Sequence, residues 1–372
     1  MQHRLHFELV NKMLQDVRTS SARFGGITVL LAGDPRQCLP VVPKASPTQI
    51  LDACIMNADF WGEVQILHLS TNMRLLAAVH RMTETELAKS REFADWLLGV
   101  GDGSANIDGG DTITLPDHLC LPVDSRHKTG LINHVYPLSA DDLTLMSTEN
   151  KVAYFRDRAI LAPKNADVDE LNNMIIELLP GDAQTFYSAD SVDEEDGSLY
   201  PTEYSNTLNI PGMPLHAVRL KVGCTAMLLR NMDPGAGLCN GTRLLLTRLQ
   251  SRVLEAIVLT GDHAGQTIPL PRITLKNASS ADLPLTLYRT QFPIRLAMAM
   301  TINKSQGQSL GHVGVCLENP VFSHGQLYVA LSRASNVHGV KVLLPTTTST
   351  QQNASHNVTD NIVFRRIFDS MA

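Results

Sequence analysis

Apolar positions recur along this chain with two different periods, and the change between them marks its parts. Leu9, Val10, Met13, Leu14 and Val17 share one face, which predicts an amphipathic helix over residues 1–18. Ile27 to Ala32 is a continuous apolar run, the pattern of a parallel strand buried on both faces. It runs into a polar loop, Gly33-Asp34-Pro35-Arg36-Gln37-Cys38-Leu39-Pro40-Val41, at the end where α/β sheets bind ligands. Phe93–Gly103 predicts a helix that stops at a glycine-rich turn. Periodicity then fades over 101–150, a stretch rich in Gly, Asp, Thr and Pro that has the character of a connector. Ala159–Ala162 predicts a strand, and Val168, Leu171, Met174, Ile175 and Leu178 a helix that opens a second α/β domain. From Leu220 the pattern shortens to strands. Leu220–Leu229, Arg243–Leu249, Val253–Leu259 and Thr267–Leu275 are the candidates, and Asn240-Gly241 is a hairpin signal. Together they predict a small antiparallel barrel inserted into the second α/β domain. Residues 346–360 are polar and of low complexity, a composition that buries too little to fold, and 361–364 are a candidate terminal element.

Two stretches concentrate the chemistry. Ala299-Met300-Thr301-Ile302-Asn303-Lys304-Ser305-Gln306-Gly307-Gln308 is an apolar strand that ends in a lysine, small hydroxyls, amides and a glycine. Gln326-Leu327-Tyr328-Val329-Ala330-Leu331-Ser332-Arg333 predicts a helix whose packing face leads to an arginine. A guanidinium held by such a helix is suited to grip a phosphate in two places.

Charge and composition narrow the partners. The 372 residues carry a net charge of −6 and are 44% hydrophobic, enough for more than one core. Residues 139–206 hold 15 acids against 4 Lys and Arg, whereas 216–304 hold 11 Lys and Arg against 4 acids. Phosphate backbones respond to local potential, so 216–304 is the candidate nucleic-acid surface. No apolar run approaches the length of a membrane span, and no signal-like core follows the first residues. The six cysteines lie apart without a C-x-x-C pair, which predicts a reducing compartment and no zinc or other metal site.

Taken in order, these stretches resemble the motifs of the Pif family of superfamily-one DNA helicases, in the branch associated with Helitron transposons. Phe24–Val42 resembles motif III, Leu67–Leu75 motif IV, Ala299–Leu310 motif V and Gln326–Ala334 motif VI, while Leu215–Ile302 resembles the family's 2B domain. The resemblance implies an α/β protein: a partial RecA-like domain over 1–100, a connector over 101–150, and a second RecA-like domain over 151–214 and 292–345. The latter carries an inserted SH3-like β-barrel, the 2B domain, over 215–291, and a low-complexity tail follows over 346–372. It implies an ATP-dependent 5′-to-3′ DNA helicase of repair, recombination or Helitron transposition, nuclear, acting on single-stranded DNA with ATP and Mg²⁺. By the same resemblance Gln37 senses the γ-phosphate, and Arg74 and Arg333 contact phosphate. Asp34 and Gly307 also line the nucleotide, and Thr301, Lys304, Ser305, Gln306 and Gly307 bear on DNA and on coupling.

One departure is chemical. Hydrolysis of this type needs a P-loop, G-x-x-x-x-G-K-[ST], and the sequence has no Gly-Lys dipeptide. The Asp-Glu pair that holds magnesium would fall before Met1. Two readings stay open: an N-terminally truncated helicase that is active when a P-loop segment is supplied, or a degenerate module that holds single-stranded DNA without hydrolysis. An unrelated α/β enzyme would require the motif order to be coincidence.

Overall fold

The computed structural model describes residues 2–78, 82–193, 200–277, 285–345 and 357–369. The chain forms two compact units. Met1–Leu121, Ser305–Gln308 and Leu317–Ala372 make the first, and Pro122–Lys304 with Ser309–Cys316 the second.

Unit 1 opens with helix α1 (Arg4–Val17), where the sequence predicts one. Its packing side differs from the expected face. Phe7 and Leu14 pack on a cluster of Phe24, Ile55, Ala58 and Phe60. Between them buried Asn11 accepts the Phe24 N–H at 2.6 Å. Leu9, Val10, Met13 and Val17 remain 48–72% exposed. The helix forms where the pattern predicts it, but of its apolar stripe only Leu14 is covered among the described residues of unit 1. Ile27–Ala32 departs from expectation in the same way. It forms no strand among the described residues, and Leu30 is 86% exposed. An apolar run becomes a buried strand only when neighbouring strands supply ladder partners on both edges, and no described strand pairs with it.

Short helices α2 (Pro47–Asp52) and α3 (Met73–Ala78) follow. The long helix α4 (Glu84–Asp102) starts at a capping box made by Thr83 and Glu86 and stops at Gly103, whose φ of 80° few side chains tolerate. The expected connector is more structured than its weak periodicity suggests. It contains strand β1 (Thr112–Thr114) and helices α5 (Lys128–Val135) and α6 (Ala140–Leu145), because Leu115, Leu119, Leu131, Ile132 and Val135 are all buried.

Unit 2 continues with α7 (Thr148–Arg156), β2 (Arg158–Ala162) and α8 (Asn165–Leu178). On α8, Val168, Leu171 and Ile175 are buried as the stripe predicts, whereas Leu178 is 45% exposed and Ile176 takes the inner position. Strands β3 (Gln184–Tyr187) and β4 (Ala189–Val192), helix α9 (Thr202–Thr207) and strands β5 (Ala217–Leu220) and β6 (Thr225–Leu228) come next. Then run β7 (Arg243–Leu249), β8 (Val253–Val258), β9 (Thr267–Pro271), β10 (Ile273–Asn277), β11 (Leu287–Gln291), β12 (Ile294–Leu296), β13 (Ala299–Thr301) and β14 (His312–Cys316). β2 lies between β13 and β14, parallel to both. The inserted part is antiparallel, with a five-stranded order β12-β6-β7-β8-β9 and a three-stranded order β10-β11-β4. Asn240-Gly241 does sit before β7, but the β6–β7 connection is a long loop, turned by an Asp233-capped 3₁₀ segment, not a two-residue turn.

Buried polar groups pin these layers. The Asn172 side chain on α8 donates to Ala299 O at 2.9 Å and accepts from Ala299 N at 2.8 Å, fixing α8 against β13. Fully buried Arg289 on β11 donates to both carboxylate oxygens of Asp190 on β4 and to the carbonyls of Ser205, Leu208 and Pro214. It ties the loop that follows α9 to the sheet.

The chain returns to unit 1 with helix α10 (Gln326–Leu331), β15 (Val340–Leu343), β16 (Val358–Asp360) and α11 (Arg366–Asp369). β16 pairs antiparallel with β1, so part of the stretch read as a tail is built into the unit. Residues 346–356 lie outside the described residues. Among the described residues no helix is long and apolar enough to cross a membrane.

Candidate functional site

The loop that follows Ile27–Ala32 is shaped by its own aspartate. Asp34 Oδ1 accepts the Arg36 N–H at 3.0 Å, Asp34 O accepts the Gln37 N–H at 3.2 Å, and Asp34 Oδ2 accepts from Gln37 Nε2 at 3.3 Å. This Asx turn presents the Gln37 side chain. Gln37 Oε1 in turn accepts from Gln306 Nε2 at 3.3 Å. Gly325, at the head of α10, presses on the same loop. A Cβ there would lie 2.4 Å from Arg36 O, and its φ of 72° also selects glycine.

From the far end of α10 comes Arg333, 4% exposed. Its Nε donates to Val329 O, Nη1 to Gln308 O and Nη2 to Ser332 Oγ, each at 3.0 Å. Gln37, Gln306 and Arg333 are thereby joined within unit 1 by one hydrogen-bonded path through residues 306–308. Gly307 carries that turn with φ 79°, and Ser305 before it is fully buried.

Tyr328 lies beside the loop. Burial, with the nearby Asp34 carboxylate adding to it, pushes its phenol up to about 12. Burial likewise raises the Cys38 thiol to about 11, so it stays protonated and is no nucleophile at neutral pH. The Asp34 carboxylate is already engaged by the Arg36 amide, Gln37 and Tyr328. Among the described residues no group of three or more His, Cys, Asp or Glu side chains could hold a metal. Of the residues present, Gln37 and Arg333 are the ones whose chemistry could serve the γ-phosphate end of a nucleotide. They do not fit its magnesium, and no Gly-Lys is present to cradle the other phosphates.

The remaining candidates lie elsewhere. Thr301 ends β13 in unit 2, in register with Ala162 of β2, and Lys304 lies one turn further on in the same unit. Lys304 is exposed by area, yet the protein around its ammonium, and then Arg295, lower its pKa. Arg295 is bidentate to Asp169 on α8. Arg74 lies on α3, and its side chain falls outside the described residues.

Sequence reasoning missed Gly325, Tyr328 and His324. The fully buried His324 donates from Nε2 to Pro35 O at 2.8 Å and accepts the Phe364 N–H at Nδ1, also at 2.8 Å. The glycine before a helix was a visible signal. The other two bind partners too remote in sequence to show any local pattern.

Comparison with known proteins gives this geometry a context. The family of PIF1-like helicases matches residues 1–110, and the 2B domain of DNA helicase Pif1 matches residues 203–249. The chain is 36% identical over 343 residues to the ATP-dependent DNA helicase PIF1 of Rattus norvegicus, covering 91% of this chain and 44% of that protein. To the Xenopus laevis protein of the same name it is 26% identical over 347 residues, again 91% and 44%. The chain thus spans less than half the length of these relatives. In fold it is similar to the crystal structure of Pif1 helicase from Candida albicans, with TM-score 0.62 at 21% identity over 99% of this chain and 72% of that one. It is also similar to Bacteroides Pif1 bound to single-stranded DNA, with TM-score 0.59 at 21% identity over 97% and 75%. Two separate regions of the chain thus match the PIF1-like helicases, and relatives of that name align with nine-tenths of its length.

Proposed function

We propose that this chain is the larger part of an ATP-dependent DNA helicase that moves 5′ to 3′ on single strands. Its hydrolysis would be completed by a P-loop-bearing segment, and its setting would be nuclear DNA repair, recombination or Helitron transposition. The observation that carries the reading is the path Gln37–Gln306–Gln308–Arg333 in unit 1. It links a group placed to sense the γ-phosphate to one able to neutralise charge developing on it, as an arginine finger does. The P-loop segment has a support of its own. Ile27, Val29, Leu30, Leu67 and Leu69 are exposed in strand-like sequence, and Leu9, Met13 and Val17 are exposed on α1. Where such exposed apolar side chains adjoin, another polypeptide ordinarily covers them. ATP and Mg²⁺ then belong to the completed site, and Arg74 to its phosphate contacts. Thr301, Lys304, Ser305, Gln306 and Gly307 belong to the DNA side and its coupling.

The missing Gly-Lys favours a second reading, a module that holds single-stranded DNA without hydrolysis. One experiment separates the two. The chain alone should show no DNA-stimulated ATPase, and co-expression with a PIF1-like P-loop segment should restore it. If the segment binds and hydrolysis stays absent while the chain still holds single-stranded DNA, the module reading replaces the first.

A further inference from the structure

The last described segment takes no part in the chemistry proposed above, yet it reaches the loop that carries Gln37. β16 enters by pairing with β1, from Thr112 opposite Asp360 to Thr114 opposite Val358. Asn361 follows, fully buried. Its Nδ2 donates to Val100 O at 2.8 Å and to Asn106 Oδ1 at 2.6 Å, and its N–H donates to Asp111 O at 2.7 Å. Beyond it the Gly325 N–H donates to Ile362 O at 3.2 Å, and Arg365 Nη2 donates to Gly103 O at 2.9 Å. Phe364 and Ile367 pack with Leu39 and Cys54. The Arg36 guanidinium sits over the Phe368 ring, 5.8 Å from its centroid.

His324 is the junction. Accepting the Phe364 N–H at Nδ1 fixes the proton on Nε2, which donates to Pro35 O. The loop's other holds are the Asp34 turn bonds, Gln306 on Gln37, Tyr328 on Asp34 and Asp102 on Arg36. In main-chain bonds it has Gln37 N–H to Asp34 O, and the run before it joins no described strand. We infer that Asn361–Asp369 is a positioning strap for the Asp34–Gln37 loop, acting through His324 on the Pro35 carbonyl and through Phe368 on Arg36. The role of Gln37 as nucleotide sensor, from the proposed function, gives the strap its purpose. The strap itself can be tested without nucleotide.

Hydrogen exchange by mass spectrometry on the full chain is the test. Two variants are compared with it: Phe368→Ala, and a chain ending at Asp360. A segment held by few contacts opens more often when one is removed. Uptake across Asp34–Val41 should therefore rise several-fold in both, while uptake across β7 and β8 in unit 2 stays unchanged. Phe368→Tyr, which keeps an aromatic face over Arg36, should restore the protection. Should the shortened chain fail to fold, the β7–β8 peptides report it and Phe368→Ala decides. Unchanged uptake at Asp34–Val41 in Phe368→Ala would overturn the inference, and so would a uniform rise across all of unit 1. Either result leaves the role of Gln37 standing, and a failed hydrolysis test would leave the strap standing.

Discussion

A buried guanidinium is destabilising unless its donors are met, and those of Arg333 meet two carbonyls and a hydroxyl. Such partners hold the planar group in place while leaving its positive charge to act on a phosphate. In protein restored with a P-loop segment, Arg333→Lys should therefore lower ATP turnover by roughly 10³-fold, since a lysine keeps the charge without the fork. Steady-state assay with oligo-dT checks this, and turnover at the parent's rate would remove Arg333 from the site. His324 yields a prediction in pH. Burial, partly offset by the Pro35 carbonyl and Asp34, holds it below the ordinary histidine value. The unfolded chain then takes up this proton first as pH falls. The stability contribution is complete above about pH 6.5 and declines as pH drops toward the folded value. Between pH 7.5 and 5.5 the urea midpoint of the intact chain should fall further than that of His324→Gln, which cannot titrate. Parallel falls would assign the acid sensitivity to other groups.

Elements in unit 2 are joined by a residue whose importance the sequence conceals. Arg243 opens β7, is fully buried, and donates to the carbonyls of Phe155, Arg156 and Arg158. It serves the C-terminal end of α7, where unpaired carbonyls gather negative potential. Burial lowers its pKa, and these oxygens are what keep the charge tolerable. Arg243→Met should cost about 3 kcal/mol, because it strands three buried carbonyls, and urea unfolding of unit 2 measures it. A loss well under about 1 kcal/mol would mean that water replaces the guanidinium. From sequence, Arg243 counted only as one more basic residue. Signals that sequence does carry are local. The glycine-rich stop at Gly103 marked the end of α4, whose start at Glu84 lies ahead of the Phe93 read from sequence, and the Val168–Leu171–Ile175 stripe marked α8. Ile27–Ala32 shows the limit, since an apolar run announces a strand but not where its neighbours are. The site divides in the same way. Gln37, Gln306 and Arg333 could be named as candidates because they sit in ordered motifs. His324 was not, because its acceptor, Pro35 O, is 289 residues away in sequence.

At the scale of the whole molecule the question is how much of its positive charge faces solvent. The 11 Lys and Arg of residues 216–304 suggest a broad basic surface, and the fold reduces it. Lys221, Arg243 and Arg289 are buried. Arg219 pairs with Glu177 and Arg295 with Asp169. Arg272 is half-buried, donating to the carbonyls of Ser251 and Tyr187. Arg230, Arg248, Arg252, Lys276 and Lys304 remain exposed. Binding of single-stranded DNA releases counterions in proportion to the phosphates neutralised, with a slope of about −0.7 in log K against log salt for each. Contact by all 11 would give a slope near −8, whereas the five exposed cations of this segment allow no more than about −3.5. Fluorescence anisotropy with labelled oligo-dT over a salt series distinguishes these values. Lys304→Ala should weaken binding alike on all sequences and flatten the slope by about 0.7. Arg219→Ala, which removes a cation already neutralised by Glu177, should leave the slope nearly unchanged. A slope near −5 in the parent would show that the Glu177 and Asp169 pairs open to release their arginines to DNA. An unchanged slope in Lys304→Ala would move the DNA path off the edge of β13.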